Sequence, residues 1–233
     1  MTSLSVNALL FDVDDTLYDR QASFTKWADS YIADVLGVTD AIMIRSMFDQ
    51  FGKFDGSVYG SKKELIEDVM MLYPPPASSN YTAAKAYADF AEDADLSSQA
   101  KALLYYLDEV GFPYGIVTNG GPRQVEKVQM LGLRDRAACV FISETFGSAK
   151  PDRSIFDAAA KCLGYLPSQI LFVGDHPFND ILGAHNAGMK TAWLHNNQPW
   201  PEVDELPRPD VMIDLLSDLT PLLRGVDRQP SVV

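Results

Sequence analysis

The segment Asp12-Val13-Asp14-Asp15-Thr16 follows an apolar run, Val6 to Phe11, and sets two carboxylates at i and i+2. The run reads as a strand buried on both faces. Side chains two apart on an extended segment share a face, so Asp12 and Asp14 emerge together at the strand's carboxyl end, where open α/β sheets bind ligands. Two anions about 4 Å apart repel by about 4 kcal/mol at an effective dielectric near 20, so the pair demands a proton or a cation between its members.

Three later stretches carry polar groups of a matching kind. Thr118-Asn119-Gly120-Gly121-Pro122 puts a hydroxyl and two glycines before a helix start, where backbone amides can receive an anion, although a plain turn has the same composition. Lys150 stands beside Pro151 in a loop, where a lysine is ordinarily just solvated. Gly174-Asp175-His176-Pro177-Phe178-Asn179-Asp180 brings two aspartates to a strand-to-helix junction, which is also the pattern of a cap with a first-turn acid. Each has its ordinary reading when taken alone. Together they stand at successive strand ends and converge on one edge of one sheet.

The elements that must position these groups fall into two kinds. From residue 17 to 93 the apolar spacing is helical throughout. Phe24, Trp27, Ala28, Tyr31, Ile32 and Val35 mark a first helix ending at Gly37. Ile42, Met43, Met47, Phe48 and Phe51 mark a second, capped by Thr39 or Asp40. Gly52 to Gly60 reads as a loop; Leu65, Ile66, Val69, Met70 and Leu72 mark a third helix, stopped by Pro74-Pro75-Pro76; Tyr81 to Phe90 is a fourth. The aromatics and methionines here read as the core of a small bundle.

After Asp95 strands and helices alternate. A helix capped by Ser97 or Ser98 ends at Gly111, and strands follow at Tyr114 to Thr118, Ala138 to Ile142, Ile170 to Val173, Lys190 to Leu194 and Val211 to Ile213. Between the earlier of them run helices from Pro122, from an Asp152 cap and over Phe178 to Ala187. This alternation implies a doubly wound parallel sheet, built from residues 1–16 and 94–233, with a helical domain over 17–93 inserted after the first strand and placed to act as a lid. The tail after Arg224 reads as disordered.

The 233 residues can bury about 70 to 75% of their unfolded surface, enough for one large domain with a smaller attachment. A formal net charge of −13 argues against nucleic acid or an anionic membrane as partner, so an anionic substrate must be drawn in by a local positive site. Cys139 and Cys162 lie in apolar elements and read as buried thiols of a reducing compartment. With no signal-peptide pattern and no uncharged apolar run of about 18 residues, the expectation is a cytoplasmic protein, monomeric or homodimeric.

The four polar stretches together resemble the motifs of the haloacid dehalogenase superfamily, in order and with family-like spacing. DxDx[TV] is matched by Asp12 to Thr16, the strand ending in Ser or Thr by Thr118, the motif lysine by Lys150-Pro151, and GDxxxND by Gly174 to Asp180. The helical insertion is similar to the family's C1 cap. The resemblance implies a Rossmann-like core and an Mg²⁺-dependent hydrolase of small phosphate esters. Asp12 would be the nucleophile and Asp14 the acid and base. Asp12, Asp175 and the Asp14 backbone carbonyl would hold the metal. Thr118 with the Asn119 and Gly120 amides would bind phosphate, and Lys150 would neutralise the nucleophile and the transferred group. Asp180, with Asn179, would orient Lys150 or a metal-bound water.

The superfamily name does not decide the reaction. Its dehalogenases generally lack the second motif aspartate because halide needs no proton, and Asp14 is present here. Sugar-phosphate mutase and haloacid dehalogenase are the enzyme alternatives. A phospho-receiver module combines similar groups but carries its acceptor aspartate on a middle strand, whereas Asp12 follows the first. A noncatalytic binding protein would not need the whole set. Candidate specificity residues are Asp19, Arg20, Trp27, Tyr31, Phe54, Tyr59 and Lys62. Sugar phosphates and nucleoside monophosphates are the expected substrate class.

Overall fold

The computed structural model describes residues 6–54, 62–92 and 94–223, with the side chains at 52–54, 62–63 and 92 excluded. In chain order the elements are β1 (Ala8–Phe11), α1 (Arg20–Ser30), α2 (Ala41–Phe54), α3 (Lys62–Leu72), α4 (Ala83–Glu92), α5 (Ser98–Val110), β2 (Tyr114–Thr118), α6 (Pro122–Met130), α7 (Leu133–Arg136), β3 (Val140–Ile142), α8 (Ser143–Phe146), α9 (Arg153–Leu163), β4 (Ile170–Gly174), α10 (Gly183–Asn186), β5 (Lys190–Leu194), β6 (Val211–Ile213) and α11 (Leu219–Leu223). They fall into two compact units, Met1–Asp19 with Asp95–Val233, and Arg20–Ala94.

The first unit holds a parallel sheet in the order β3-β2-β1-β4-β5-β6. Strand β1 comes first in the chain yet lies inside the sheet, and β1, β2 and β4 are buried along their whole length. That explains their unbroken apolar character, since both faces are covered. Leu10, Phe172 and Val117 join Ile155, Phe156 and Ala159 of α9 in one core cluster, with the Phe156 and Phe172 rings edge to face at 5.1 Å. Phe11, one residue on from Leu10 and so on the opposite face, meets Tyr114 at 6.2 Å. The chain winds one way from β1 to β2 and β3, and the other way through β4 to β6. The switch point lies between β1 and β4, where doubly wound sheets open a crevice at the strands' carboxyl ends.

Local signals place the helices. Ser97 Oγ accepts from the Ala100 amide at 3.1 Å, and Gly111 closes α5 in the left-handed conformation. Asp152 Oδ1 accepts from the Ser154 amide at 2.8 Å at the start of α9. Pairing of the third strand begins ahead of β3 proper, since the Ala138 amide donates to Tyr114 O at 2.9 Å. The stretch expected as one helix over Phe178 to Ala187 is a π-helical turn, Pro177–Leu182, that runs into α10. Leu17 and Tyr18 pack in the sheet unit, where the Ser97 amide donates to Leu17 O at 2.9 Å and Tyr18 bridges Leu96, so the helical unit starts at Arg20.

The helical unit closes on its own apolar cluster. Phe24, Trp27, Tyr31, Met47, Phe51, Ile66, Val69 and Phe90 are buried, and Trp27 stacks on Tyr31 at 5.2 Å. Tyr31 Oη donates to Tyr73 O at 2.7 Å, and Tyr81 Oη donates to Asp89 at 2.8 Å. Trp27 and Tyr31 are therefore packing residues of this bundle rather than groups presented to a substrate. Asp19 is exposed. Tyr59, the side chains of Phe54 and Lys62, and the tail beyond Leu223 lie outside the described residues.

Three apolar helix residues lie off the packed faces. Ile42 and Met43, expected on the inner face of α2, are 82% and 56% exposed; Ile44, Met47, Phe48 and Phe51 form the packed stripe, and with about 3.6 residues per turn Ile42 falls on the face opposite it and Met43 at its edge. Cys162, expected buried, is exposed on the flank of α9, while the next residue, Leu163, packs on the core cluster. Cys139 is buried, and burial first, with the adjacent Cys162 adding, pushes its thiol up to about 12. A thiol alkylator is therefore expected to modify Cys162 in the native protein and Cys139 only after unfolding, as read by peptide mass spectrometry. Equal native labelling of both would contradict the packing of Cys139 under α9.

Candidate active site

Asp12 stands one residue beyond β1, and its amide continues the ladder by donating to Val173 O at 3.0 Å. Its carboxylate is buried and held by Lys150, whose Nζ is 2.6 Å from Asp12 Oδ1 and 2.6 Å from Asp180 Oδ1. The lysine is itself 4% exposed and lies 5.4 Å from the Phe172 ring centre. Its backbone is fixed by one side chain: Asn119 Nδ2 donates to Lys150 O at 2.9 Å, and the Lys150 amide donates to Asn119 Oδ1 at 2.8 Å. The β2 loop thus holds the loop before α9.

The β4 end is as tightly specified. Trp193 Nε1 on β5 donates to Asp175 O at 2.6 Å, fixing the backbone of a buried aspartate. Asp180 is fully buried and accepts from the His176 amide at 3.0 Å through the oxygen that does not face Lys150. Gly174 is required here, since a Cβ would stand 2.4 Å from Asp180 Oδ2. His176 uses Nδ1 to accept from the Phe178 and Asn179 amides, so it caps the turn. Asn179 is half-buried beside it.

One oxygen from each of Asp12, Asp175 and Asp180 falls within 4.8 Å of the others, all three residues being buried. The chemistry of this donor set fits a hard divalent cation, because it is all oxygen and carries three carboxylates against one ammonium. The same imbalance shows in Asp12, which burial pushes up to about 6; Lys150 pulls the other way, and Asp180 and Asp14 add to the rise. Burial works against the Lys150 charge, but Asp12 and then Asp180 outweigh it and raise its pKa. The pair is thus ionised as Asp12 carboxylate and Lys150 ammonium at neutral pH.

The Asp14 carboxylate is not part of that cluster. Its Oδ1 is 2.6 Å from Lys127 Nζ, and its Oδ2 accepts from Gln124 Nε2 at 3.0 Å, both on α6. Gln124 also donates to Thr118 Oγ1 at 2.9 Å. The Gly120 amide donates to Ser143 Oγ at 3.0 Å. Asp15 holds a left-handed backbone with φ 56°, a conformation aspartate tolerates, and its carbonyl accepts from Asn196 Nδ2 at 2.8 Å. Arg123 is exposed, and His195 pairs with Asp214.

Gln124, Lys127, Ser143 and Asn196 were not found from the sequence. A signal existed for Gln124: it lies four and seven residues before the inward Val128 and Leu131, so it is a polar residue on a buried face. Lys127 and Asn196 had none, being single polar residues of a helix and a loop.

A family model for haloacid dehalogenase-like hydrolases matches residues 6–188, and the chain belongs to that family. Glyceraldehyde 3-phosphate phosphatase of Methanopyrus kandleri is 30% identical over 92% of this chain and 98% of its own length. The enzyme of the same name from Pyrococcus abyssi is 29% identical over 81% of each chain. Relatives of this kind along most of the sequence make it a HAD-like phosphatase. The solved structure of the HAD-hydrolase YfnB from Bacillus subtilis, bound to magnesium, superposes with a TM-score of 0.65 at 23% identity, covering 94% of this chain and 98% of that one, and shares the fold.

Lys150→Met should leave Asp12 and Asp180 buried without their ammonium. Urea unfolding at neutral pH in chelating buffer is expected to show a loss of about 3–5 kcal/mol. A loss below about 1 kcal/mol, the range of exposed pairs, would mean that Lys150 is not the buried partner of both carboxylates.

Proposed function

We propose that this chain hydrolyses phosphate monoesters of small metabolites with Mg²⁺, through an aspartyl-phosphate on Asp12. The observation that carries the reading is the buried Asp12 carboxylate, held through one oxygen by Lys150 with Asp175 and Asp180 beside it. The oxygen of Asp12 turned away from Lys150 attacks phosphorus, and the bond from phosphorus to the ester oxygen breaks. Asp14 gives that oxygen a proton, then takes one from the water that attacks the acyl phosphate and frees inorganic phosphate and Asp12. Lys150 offsets charge on the nucleophile and on the transferred group. Thr118, with the amides of Asn119 and Gly120, receives the phosphate oxygens. Gly120 would exchange its Ser143 contact for them.

Asp12 and Asp175, with the Asp14 backbone carbonyl, would hold Mg²⁺, and Asp180 would support the site through Lys150. The bound ion supplies screening between an anionic nucleophile and an anionic phosphate. Magnesium in the YfnB structure supports the choice of metal. Asp14 favours ester hydrolysis over dehalogenation, which needs no proton donor. The glyceraldehyde 3-phosphate phosphatases among its relatives support a small phosphorylated substrate. The helical unit, as a cap, would select it.

Purified protein is expected to release inorganic phosphate from p-nitrophenyl phosphate and from members of a metabolite panel, to stop on chelation and to recover with Mg²⁺. Asp12→Asn should abolish turnover. Asp14→Asn should slow it by about 100-fold or more while Mg²⁺ binding, read by calorimetry, persists. Folded wild-type protein that releases no phosphate from any ester would sink the reading.

A further inference from the structure

Gln124 is a polar side chain, 6% exposed, on the inward face of α6. Its amide nitrogen is shared between two groups of different function, Asp14 Oδ2 at 3.0 Å and Thr118 Oγ1 at 2.9 Å. Asp14 as a carboxylate only accepts, which fixes the amide with its nitrogen toward it, and both N–H bonds are then spent. The consequence for Thr118 is directional. Its oxygen already accepts from Gln124, so its single hydrogen must point elsewhere, free to donate to an anion. The other Asp14 oxygen is anchored by Lys127, whose ammonium also lies 4.8 Å from the Tyr18 ring centre. Each Asp14 oxygen keeps a second lone pair, so the two anchors fix the carboxylate plane without blocking proton transfer.

A separate observation shows space reserved for this arrangement. A Cβ on Gly120 would fall 2.4 Å from Gln124 Cβ. The loop after β2 therefore lacks a side chain at the point where Gln124 passes beneath it.

We propose that Gln124 is a positioning residue that locks the acid/base carboxylate of Asp14 and the phosphate-binding hydroxyl of Thr118 into one unit, with Lys127 as the second anchor of Asp14. This rests on the phosphatase reading. It assigns α6 a share in both leaving-group protonation and phosphate binding, and it separates the two anchors: Lys127 touches only the first task, Gln124 both.

The test compares Lys127→Met and Gln124→Met with wild type on p-nitrophenyl phosphate, whose leaving group needs little protonation, and on an alkyl phosphate, whose leaving group needs it. Inorganic phosphate serves as a competitive inhibitor. Lys127→Met should cut kcat/KM, which reports the phosphorylation step, on the alkyl ester by about 100-fold, with a much smaller loss in kcat/KM on the nitrophenyl ester and an unchanged phosphate inhibition constant. Gln124→Met should show the same leaving-group bias and weaken phosphate inhibition by about 5- to 10-fold, the equivalent of one hydrogen bond. Lys127→Arg should restore the alkyl ester rate. If Gln124→Met fails to fold, Gln124→Glu, which keeps the side-chain volume and loses both N–H donors, should give the same double phenotype. Equal losses on both esters with unchanged phosphate inhibition, in folded variants, would overturn the proposal and leave Gln124 a packing residue. A wild-type enzyme inactive on both esters would instead refute the phosphatase reading beneath it.

Discussion

The site depends on one buried ammonium. Lys150 is almost without solvent, and its charge is tolerable only because Asp12 and Asp180 each approach Nζ to 2.6 Å. The carboxylates need the lysine as much, since three buried acids at one strand edge would otherwise shed their charge by protonation. Every neighbouring contact serves this arrangement. Asn119 clamps the lysine backbone, the ladder from β4 fixes Asp12, Trp193 fixes Asp175, and Gly174 makes room for Asp180. Removing the lysine would leave two buried carboxylates without their ammonium.

Three carboxylates against one ammonium is still an unbalanced account, and the imbalance has a direction. It attracts a dication and repels a bare phosphate. The chain's negative charge deepens the second problem, so on the proposed reading substrate capture would fall to local donors: the Lys150 ammonium, the Thr118 hydroxyl and the amides of the β2 loop. The segment after β1 supplies Asp12, the proposed nucleophile, and, two residues on, Asp14, which turns toward α6. That divergence gives the two aspartates separate ion-pair partners. Asp12 is tied to Lys150 and the acidic cluster, Asp14 to Lys127 and Gln124.

Much of the fold was legible because its signals are local. Strands β2, β5 and β6 are bounded to the residue because turn-forming residues flank each: Pro113 and Asn119, Gly188 and Asn196, Asp210 and Asp214. Ser97, Asp152 and Gly111 marked helix ends through their own hydrogen-bonding and φ preferences. Apolar character alone misplaces three helix residues. Ile42 falls opposite the packed stripe of its helix, and Met43 and Cys162 at the edge of theirs, so each is apolar without facing the core.

By itself the sequence determined which groups arrive at the strand ends: Asp12 and Asp14 after β1, a threonine at the end of β2, a lysine before α9, and two aspartates after β4. Strand period, turn chemistry and capping fix those positions over a few residues each. Only the tertiary structure decided which group meets which. Lys150 finds Asp12 across 138 residues of chain, and Asp14 finds Gln124 and Lys127 across 110 and 113. Those pairings follow from the order in which β2, β1 and β4 lie side by side and from their register. Sheet order is set by the burial of whole strands, which no local stretch of sequence encodes.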